Sequence, residues 1–392
     1  MTSNYSPWSN YVGGGQHSTH QLASALVELG HEVTVVWTTV PDEPLRPHSK
    51  PLYRERFARF VGRTASRNAP LRPLNALTVA HVVAELCREG VDVVHANGEE
   101  GALLGPVVRN AGALFVVTPR YPRYPEVLEG RLAPSSVGRA WTWLAHTKYP
   151  LLGLAVRSAD FVCPTSEHAA ELVVRAYGIE RDRVEVVHNG IDAVFRTRSW
   201  EPRADAPILC YGRLDHDKGM DVLIDAMWAM GATRAHGSQG PAGRRRRLRI
   251  IGRGDERERL IALASRRNVE LQIDDWLERP ALADAIAGAS LVVLPSRHES
   301  FGNVIAEAMA VGAPLVTTTA GSIPELVVPG TGVLVPPDDA PALARAIMAL
   351  EEDPAEAARL GAAARRSSST AGWDEAARRF VAIYASVYST HS

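Results

Sequence analysis

Two carboxylates in the second half of the chain, Glu299 and Glu307, have seven residues between them. Glu299 lies in a short predicted loop after a buried strand, and a helix is predicted to begin near Gly302. Because Asn303 and Glu307 are four residues apart, they share one face of that helix. Free N–H groups at a helix start can hold a pyrophosphate, and carboxylates can accept hydrogen bonds from ribose or sugar hydroxyls. The alternative is that Glu299 only complements the helix dipole and Glu307 is a surface residue.

A basic pair, Arg213 and Lys218, lies in the segment 212–219, between another predicted strand and the next helix. The arginine offers a bidentate fork and the lysine a compact charge, and both suit phosphate. The chain has only three lysines, so a lysine kept at this motif favours the phosphate interpretation. An ordinary basic loop is the alternative.

Two glycine-rich segments are further candidates for contacts with a nucleotide ligand. The segment 13–15 is Gly-Gly-Gly directly before the first predicted helix, and consecutive glycines let backbone amides approach an anion. The spacing G-x-G-x-x-G of dinucleotide-binding proteins does not occur there, which argues against a NAD-linked oxidoreductase. The segment 252–254, Gly-Arg-Gly, either lies under a nucleoside or forms a turn.

Short apolar strands alternate with amphipathic helices, and the alternation restarts after a polar stretch at 195–207. This pattern predicts an α/β protein with two doubly wound parallel sheets covered on both faces. Gly30 is predicted to end the first helix. Few residues precede the glycine loop, so the first strand is either shortened or missing. Predicted strands include 91–95, 113–118, 161–163, 184–187, 208–211 and 290–294.

The amino-acid composition indicates which classes of protein are compatible with this chain. The 392 residues are 46% hydrophobic and 22% charged, with a formal net charge of -1, which is typical of a globular protein and not of a nucleic-acid binder. Three scattered cysteines, Cys87, Cys163 and Cys210, favour buried thiols over disulfides or a zinc site. The polar N-terminus and the lack of a long apolar run predict a cytoplasmic protein without a signal peptide.

Basic stretches suggest a membrane surface as a further partner. The region 50–72 carries six arginines and one acidic residue, Glu55, with Leu52, Phe57 and Phe60 among them. It could contact an anionic membrane from the cytoplasmic side, or it could be a solvated strand and loop, which we favour. The run 244–247 is interpreted as a solvated loop. The arginines of the first region are Arg54, Arg56, Arg59, Arg63, Arg67 and Arg72.

The motifs together, in this order, resemble glycosyltransferase family 4, whose members have the GT-B fold and retain anomeric configuration. The resemblance covers nearly the whole chain and includes the segments 30–33, 187–192 and 312–314. It implies two Rossmann-like domains that face a central cleft. Residues 1–198 would bind the acceptor and 199–372 the nucleotide-sugar donor, while 373–392 would form a helix that crosses back to the N-terminal domain.

The resemblance also implies roles for individual residues. Arg213 and Lys218 would clamp the donor diphosphate and stabilise its growing charge, and Glu299 would hold sugar hydroxyls, so these three are the catalytic candidates. Glu307 would hold the ribose. The departing phosphate would act as the base for the acceptor hydroxyl. The full set of donor contacts is Gly14, Gly15, Gly212, Arg213, Lys218, Glu299, Phe301, Gly302, Asn303 and Glu307.

The family resemblance further implies that the basic pair replaces a metal ion and that no cofactor is needed. The co-substrate would be a UDP- or GDP-sugar with a hexose-type sugar, and the acceptor a small-molecule, glycan or lipid hydroxyl. No feature of the sequence specifies an oligomeric state.

The chain departs from the family at one point close to the expected reaction centre. Many members carry a histidine in a Thr-x-His context after the third strand of the N-terminal domain, and here Arg120 stands in its place. An arginine cannot act as a general base at neutral pH, but it could bind a phosphate or carboxylate of an acceptor. His95 is a substitute for acceptor contacts or a structural histidine. Asn97 and Gln16 are further acceptor-binding candidates.

Two alternative functions share this architecture. A nucleotide-sugar hydrolase or epimerase would release free sugar or an isomer without an acceptor. A nucleotide-sugar-binding protein without catalysis is the second alternative, and the missing histidine motivates it.

Overall fold

The computed structural model describes residues 1–9, 13–39, 45, 49–59, 71–120, 148–203, 205–234 and 246–388. Its contacts divide the chain into two compact units. Unit 1 comprises Met1–Gly190 and Trp373–Ser392, and unit 2 comprises Ile191–Gly372. The predicted limit at residue 198 lies slightly beyond the change of unit at residue 190. Of the residues discussed above, Phe60, Arg63, Arg67, Arg244 and Arg245 lie outside the described residues.

Unit 1 contains a six-stranded parallel sheet in the order β3-β2-β1-β4-β5-β6. This is the doubly wound arrangement, in which the strand order reverses beside the first strand. Strand β1 has two residues and still pairs with both β2 and β4, so the shortened first strand is the form that occurs. The strands are Thr2–Ser3 (β1), Thr34–Thr39 (β2), Arg54–Arg59 (β3), Val93–Ala96 (β4), Leu114–Val117 (β5) and Phe161–Val162 (β6).

The helices of this unit cover both faces of the sheet, and their ends follow the sequence signals. The first helix buries Leu22, Ala25 and Leu26, and Gly30 follows it with φ 93°, so the predicted stop is confirmed. The first five helices are Gly14–Glu28 (α1), Arg72–Glu89 (α2), Leu104–Asn110 (α3), Lys148–Ser158 (α4) and Glu167–Tyr177 (α5).

The predicted strand at 184–187 is wrong as a regular strand. Val184 forms a single bridge to Val162, and Val187 N donates to Pro164 O at 2.9 Å. Strand β6 offers only two residues for pairing, and Pro164 has no N–H to donate in return. The segment therefore runs beside the sheet without completing a ladder.

Unit 2 repeats the design with a six-stranded parallel sheet in the order β12-β11-β10-β7-β8-β9. Strands β7, β10 and β11 are buried along their whole length, as expected of parallel strands covered on both faces. The strands are Ile208–Tyr211 (β7), Arg247–Ile251 (β8), Glu270–Asp274 (β9), Leu291–Leu294 (β10), Leu315–Thr318 (β11) and Val333–Val335 (β12).

Eight helices are described in unit 2, and they alternate with its strands. The helix α10 is the next regular element after β10, and its last seven residues are buried. The helices are Ala193–Arg196 (α6), Met220–Arg234 (α7), Arg257–Arg267 (α8), Arg279–Ala287 (α9), Asn303–Val311 (α10), Ile323–Leu326 (α11), Ala340–Glu352 (α12) and Pro354–Ser367 (α13).

The last helix, Trp373–Tyr388 (α14), belongs to unit 1. Phe380 and Ile383 on this helix pack with Leu22 and Leu26 of α1 in one apolar cluster. Burial of each of these four side chains stabilises the folded state by roughly 1.5–3 kcal/mol relative to leaving it exposed. Within the part of the chain that the structure describes, no helix is both long and apolar enough to cross a bilayer.

Candidate functional site

The loops that follow β7 and β10 lie side by side in unit 2. The two strands are parallel neighbours, with Leu291 opposite Ile208, so both loops leave the same edge of the sheet. Gly219 has φ 62°, and a Cβ placed there would lie 2.0 Å from the Pro295 carbonyl oxygen. Only glycine permits this approach, which brings the end of the first loop against the start of the second.

Lys218 and Glu299 meet where these loops touch. Lys218 Nζ donates to Glu299 Oε1 at 2.5 Å, and Ser296 Oγ donates to the same oxygen at 2.9 Å. The lysine side chain is 14% exposed and the glutamate 9%, so the pair is partly shielded from water. The other carboxylate oxygen, Oε2, has no hydrogen bond to a described residue. Glu299 is therefore fixed by one oxygen and presents the other.

Arg213 and Asp215 complete this group. Arg213 Nη2 lies 3.0 Å from Asp215 Oδ2. Burial raises the pKa of Asp215, while the positive charges of Arg213 and Lys218 act in the opposite direction. Both cations therefore act electrostatically on one carboxylate. We call Arg213, Asp215, Lys218 and Glu299 the basic cluster, and sequence reasoning had not selected Asp215 for it.

Arg297 connects the two loops that carry the basic cluster, and sequence reasoning did not select it. Its Nη1 and Nη2 lie 2.9 and 3.1 Å from the Asp221 carboxylate, and Nη1 also donates to His216 O at 2.6 Å. Its backbone N donates to Asp217 O at 2.7 Å. The short 3₁₀ turn that carries Lys218 is thereby tied to the loop after β10.

The carbonyl of Glu299 is fixed from the other side. Ser322 N donates to Glu299 O at 3.1 Å. A Cβ at Gly321, which has φ 60°, would lie 2.2 Å from this same oxygen. The backbone that carries Glu299 is thus held by a second neighbouring loop.

Glu307 belongs to a second group on α10. Its Oε1 lies 2.8 Å from Arg279 Nη1, and Arg279 Nε lies 2.8 Å from Asp192 Oδ2. Glu307 is 6% exposed, so the interpretation as an ordinary surface residue is wrong. Arg279, which stacks over the Phe195 ring at 4.4 Å, carried no signal in the sequence because its partners lie far away along the chain.

The residues between the two carboxylates form the link between the two groups. Phe301 is 7% exposed, and Gly302 has φ 90° directly before Asn303 opens α10. Gly212 lies close to α10 as well, since a Cβ there would be 3.9 Å from Val304 Cγ1. The donor candidates of unit 2 thus occupy adjoining loops and one helix start, with Glu299 and Glu307 in separate ion pairs.

The glycines at 252 and 254 support the first loop. A Cβ at Gly252 would lie 1.8 Å from Gly212 O, and one at Gly254 would lie 2.2 Å from Leu214 O. Leu214 N also donates to Arg253 O at 2.8 Å. These contacts explain both glycines by close backbone packing, which favours the turn interpretation of this segment.

In unit 1, Gln16 holds the glycine loop closed. Its Oε1 accepts from Gly13 N at 3.0 Å, and its Nε2 donates to Asn4 O at 2.8 Å. The first of these is half of a capping box at the start of α1. Since both ends of the amide are engaged, the geometry gives Gln16 a structural role and offers no support for an acceptor contact.

His95 lies in the core beneath α14. Nδ1 is 2.8 Å from Tyr384 Oη, Nε2 is 2.8 Å from Thr118 Oγ1, and the residue is 1% exposed. Burial, followed by the nearby positive charges, lowers the pKa of His95 well below its usual range. A neutral ring with both nitrogens engaged favours the structural alternative over acceptor binding.

Arg120 and Asn97 lie together above β4 and β5. Arg120 Nη2 donates to Asn97 Oδ1 at 2.7 Å, and Asn97 Nδ2 donates to Thr2 O at 2.9 Å. A Cβ at Gly15 would lie 3.2 Å from Arg120 Cδ. The structure therefore brings Gly15, Asn97 and Arg120 into one place, next to the start of α1.

Two further features lie apart from these groups. A cavity of about 710 Å³ opens at the amino-terminal edge of the sheet in unit 2, where Arg203, Arg247 and Arg249 line it. It contains no residue of the basic cluster, which lies at the opposite edge. Among the described residues, no three His, Cys, Asp or Glu side chains are grouped as a metal site requires, and metal independence stays a prediction.

Two family models match the chain in succession. The model described as Glycosyltransferase Family 4 matches residues 12–195, and that described as Glycosyl transferases group 1 matches residues 196–367. Together they span both units and include the glycine loop, the basic cluster and both glutamates.

Curated relatives are similar over part of their length. A D-inositol 3-phosphate glycosyltransferase of Xylanimonas cellulosilytica is 34% identical over 252 residues, which are 59% of this chain and 58% of the relative. A glycogen synthase of Mycobacterium tuberculosis is 32% identical over 237 residues, which are 58% of this chain and 55% of the relative. The match thus spans somewhat over half the length of these relatives.

Solved structures are similar over the whole chain. A sucrose-phosphate synthase from Thermosynechococcus elongatus covers 99% of both chains with a TM-score of 0.80 and 24% identity. Anabaena HepE in complex with UDP and glucose covers 98% of both chains with a TM-score of 0.72 and 20% identity. At these identities the likeness shows the fold. With two parallel doubly wound sheets and both family models matched, the chain belongs to glycosyltransferase family 4 and has the GT-B fold.

Proposed function

We propose that this chain transfers a hexose-type sugar from a nucleoside diphosphate sugar to an acceptor hydroxyl, with retention of configuration and without a metal ion. The observation that carries the proposal is the basic cluster, in which Lys218 and Arg213 lie beside Glu299 at the carboxyl edge of a parallel sheet. Open α/β sheets bind their ligands at this edge. The relative HepE, which has the same fold, was crystallised with UDP and glucose.

The charges of the basic cluster suit a leaving diphosphate. Lys218 has three N–H donors, so it can keep its bond to Glu299 and still donate to a phosphate oxygen. Arg213 is 46% exposed and can turn its fork from Asp215 to the diphosphate. As the bond to the sugar breaks, negative charge grows on the diphosphate, and the two cations stabilise that transition state.

The glutamates bind the two sugars of the donor in this proposal. Glu299 is held at Oε1 and presents Oε2 to hydroxyls of the transferred sugar. Glu307 accepts from the ribose hydroxyls, and Arg279 keeps its carboxylate charged and oriented. Phe301, Gly302 and Asn303 supply backbone amides at the start of α10.

Retention follows from front-face attack in this proposal. The acceptor hydroxyl approaches on the side from which the diphosphate leaves, and an oxygen of the departing phosphate takes its proton. No side chain then has to act as the base, which agrees with an arginine at position 120. The protein contributes orientation and electrostatic stabilisation.

The decisive experiment compares Lys218→Met with Lys50→Met, a surface control in unit 1. A thermal-shift screen against UDP, GDP and their sugars identifies the donor, since ligands of the folded state raise the Tm. We expect Lys218→Met to lower turnover by roughly 10²-fold or more and the control to be unaffected. Normal turnover in Lys218→Met would remove the proposed clamp.

Two further measurements test the remaining parts of the proposal. Chelation with EDTA should leave activity intact, and dependence on added Mg²⁺ would contradict the metal-free reaction. The anomeric linkage of the product, read by NMR, tests retention. Release of free sugar or of an isomer in the absence of acceptor would instead support the hydrolase or epimerase.

The residues that could contact a membrane lie on and beside the exposed edge strand β3. Phe57 is 45% exposed, Leu52 is 61% exposed, and Arg56 and Arg59 are exposed beside them. Charged side chains on an edge strand also prevent pairing with other chains, which accounts for them without a membrane. We therefore expect no flotation with anionic liposomes at physiological salt, and flotation that depends on these arginines would establish peripheral binding.

A further inference from the structure

Among the described residues, the guanidinium of Arg120 donates hydrogen bonds to neutral oxygens only. Nη2 donates to Asn97 Oδ1 at 2.7 Å and to Thr19 Oγ1 at 3.5 Å, and Nη1 donates to Asn189 Oδ1 at 3.4 Å. Nε is buried and has no hydrogen-bond partner. Among the residues that the structure describes, no carboxylate forms an ion pair with this arginine.

A shielded guanidinium of this kind is incomplete without an anion. Burial lowers the pKa of Arg120 to about 10, so the side chain stays charged at neutral pH. The neighbouring carboxylate, Glu100, accepts from Asn97 N at 2.9 Å and from Thr2 Oγ1 at 3.2 Å, and does not bond to the arginine. A charge withdrawn from water without a paired charge costs several kcal/mol.

The start of α1 lies against the same side chain. A Cβ at Gly15 would lie 3.2 Å from Arg120 Cδ and 3.9 Å from its Nε, so glycine allows the arginine to cross the first turn of this 15-residue helix. The first amides of a helix have no acceptor within it and carry partial positive charge. Gly14 is exposed, so a ligand can reach these amides.

We propose that Arg120, which lies beside the first turn of α1, binds a phosphate or carboxylate group carried by the acceptor. The inference rests on the proposed function in assigning the acceptor to unit 1. The donor diphosphate has its own receptor in Lys218 and Arg213.

The proposal agrees with the reaction described above. An oxyanion held by the Arg120 fork at two or more nitrogens fixes both the position and the orientation of the acceptor. A hydroxyl elsewhere on that acceptor is then presented to the donor sugar, which supplies the orientation that a transferase needs. Acceptors without an anionic group lose this anchor.

Inorganic phosphate is the probe, and isothermal titration at constant ionic strength is the measurement. All proteins carry Arg213→Met and Lys218→Met, so that the two cations of the basic cluster do not contribute to phosphate binding. Arg120→Gln is compared with Arg109→Gln, which removes an exposed arginine at the end of α3 in the same unit. Loss of the charge-assisted hydrogen bonds from Arg120 weakens phosphate binding at least tenfold.

We expect Arg120→Gln to raise the Kd for phosphate at least tenfold and Arg109→Gln to change it less than twofold. An unchanged Kd in Arg120→Gln, or an equal loss in Arg109→Gln, would overturn the proposal. Because the background lacks both cations of the proposed donor clamp, this result is independent of whether donor binding was assigned correctly.

A second variant covers the case in which Arg120→Gln does not fold. Asn189→Asp is nearly isosteric and places a carboxylate 3.4 Å from Nη1 of Arg120, where it neutralises the guanidinium internally. We expect this variant to fold and to bind phosphate at least tenfold more weakly. Phosphate binding equal to that of the parent would reject the site.

A separate measurement, made with Arg213 and Lys218 both present, decides whether the anion belongs to the acceptor or to the donor. The Kd of the nucleoside diphosphate that the protein binds is measured with and without Arg120→Gln. A change of less than twofold supports the acceptor as the carrier of the anion. A tenfold loss would show that Arg120 reads the donor diphosphate, and the acceptor assignment would be abandoned.

Discussion

Glu100 makes the stability of unit 1 depend on pH. It is 3% exposed and accepts hydrogen bonds from Thr2 Oγ1 and Asn97 N. Burial, followed by the charge of Glu99, raises the pKa of Glu100 from 4.5 to about 7. Because the folded-state pKa is the higher one, the stabilising contribution is complete below the unfolded pKa and is lost as pH rises through about 7.

The magnitude follows from the two pKa values. Linkage gives a loss of about 2 kcal/mol from this one group between pH 5.5 and pH 8. Glu100→Gln keeps an oxygen for the two donors but cannot titrate, so this part of the pH dependence disappears. The buried amide N–H₂ costs about 1–3 kcal/mol at every pH if it finds no acceptor, so the slope with pH is diagnostic and the absolute stability is not.

The assay is urea unfolding of the wild type, Glu100→Gln and the exposed control Glu89→Gln at both pH values in chloride buffer. We expect the free energy of unfolding of Glu100→Gln, relative to wild type, to be about 2 kcal/mol more favourable at pH 8 than at pH 5.5. Glu89→Gln should show no such difference. A pH dependence that is the same in Glu100→Gln and the wild type would refute the reasoning.

Three further substitutions test unit 2. Glu299→Gln should reduce turnover roughly 10²-fold while the Kd of the nucleoside diphosphate changes less than twofold, because the charge that holds sugar hydroxyls is lost but the cations remain; a parallel loss in both would place Glu299 in diphosphate binding. Gly219→Ala should lower the Tm clearly, since its Cβ would lie 2.0 Å from Pro295 O, and an unchanged Tm would contradict the close approach of the two loops. Arg279→Met leaves the buried carboxylate of Glu307 without its cation and should cost about 3–5 kcal/mol in urea unfolding; a loss below 1 kcal/mol would mean that the pair is not formed.

The fold was predictable because its signals are local. Apolar runs such as Leu209–Cys210 within β7 and Val292–Val293 within β10 show buried parallel strands directly. Gly30 ends α1 by a conformational rule that needs no knowledge of the rest of the chain. The strand predicted at 184–187 failed for a non-local reason, since its neighbour β6 is too short to pair with it.

The site was predictable only where residue type and position after a strand coincide. Lys218 and Glu299 follow neighbouring strands, and the sheet order brings them to 2.5 Å. Arg297 and Arg279 do not stand out in the sequence from dozens of other basic residues. The partner of Arg297, Asp221, lies 76 residues away along the chain, and the partner of Arg279, Glu307, lies 28 residues away. Sequence periodicity carries no information on such pairings, because they depend on which loops the sheet places together.

The ion pairs of the basic cluster balance the charges of its two cations while no donor is bound. Before a donor binds, Lys218 and Arg213 need compensation, and Glu299 and Asp215 provide it at 2.5 and 3.0 Å. In the reaction that we propose, an arriving diphosphate competes with these carboxylates for the same N–H donors. Glu299 keeps Ser296 as a donor and stays in place to receive the sugar. When the diphosphate replaces the carboxylates as a partner, Arg213 therefore moves while Lys218 and Glu299 stay in place. This agrees with the greater exposure of the Arg213 side chain.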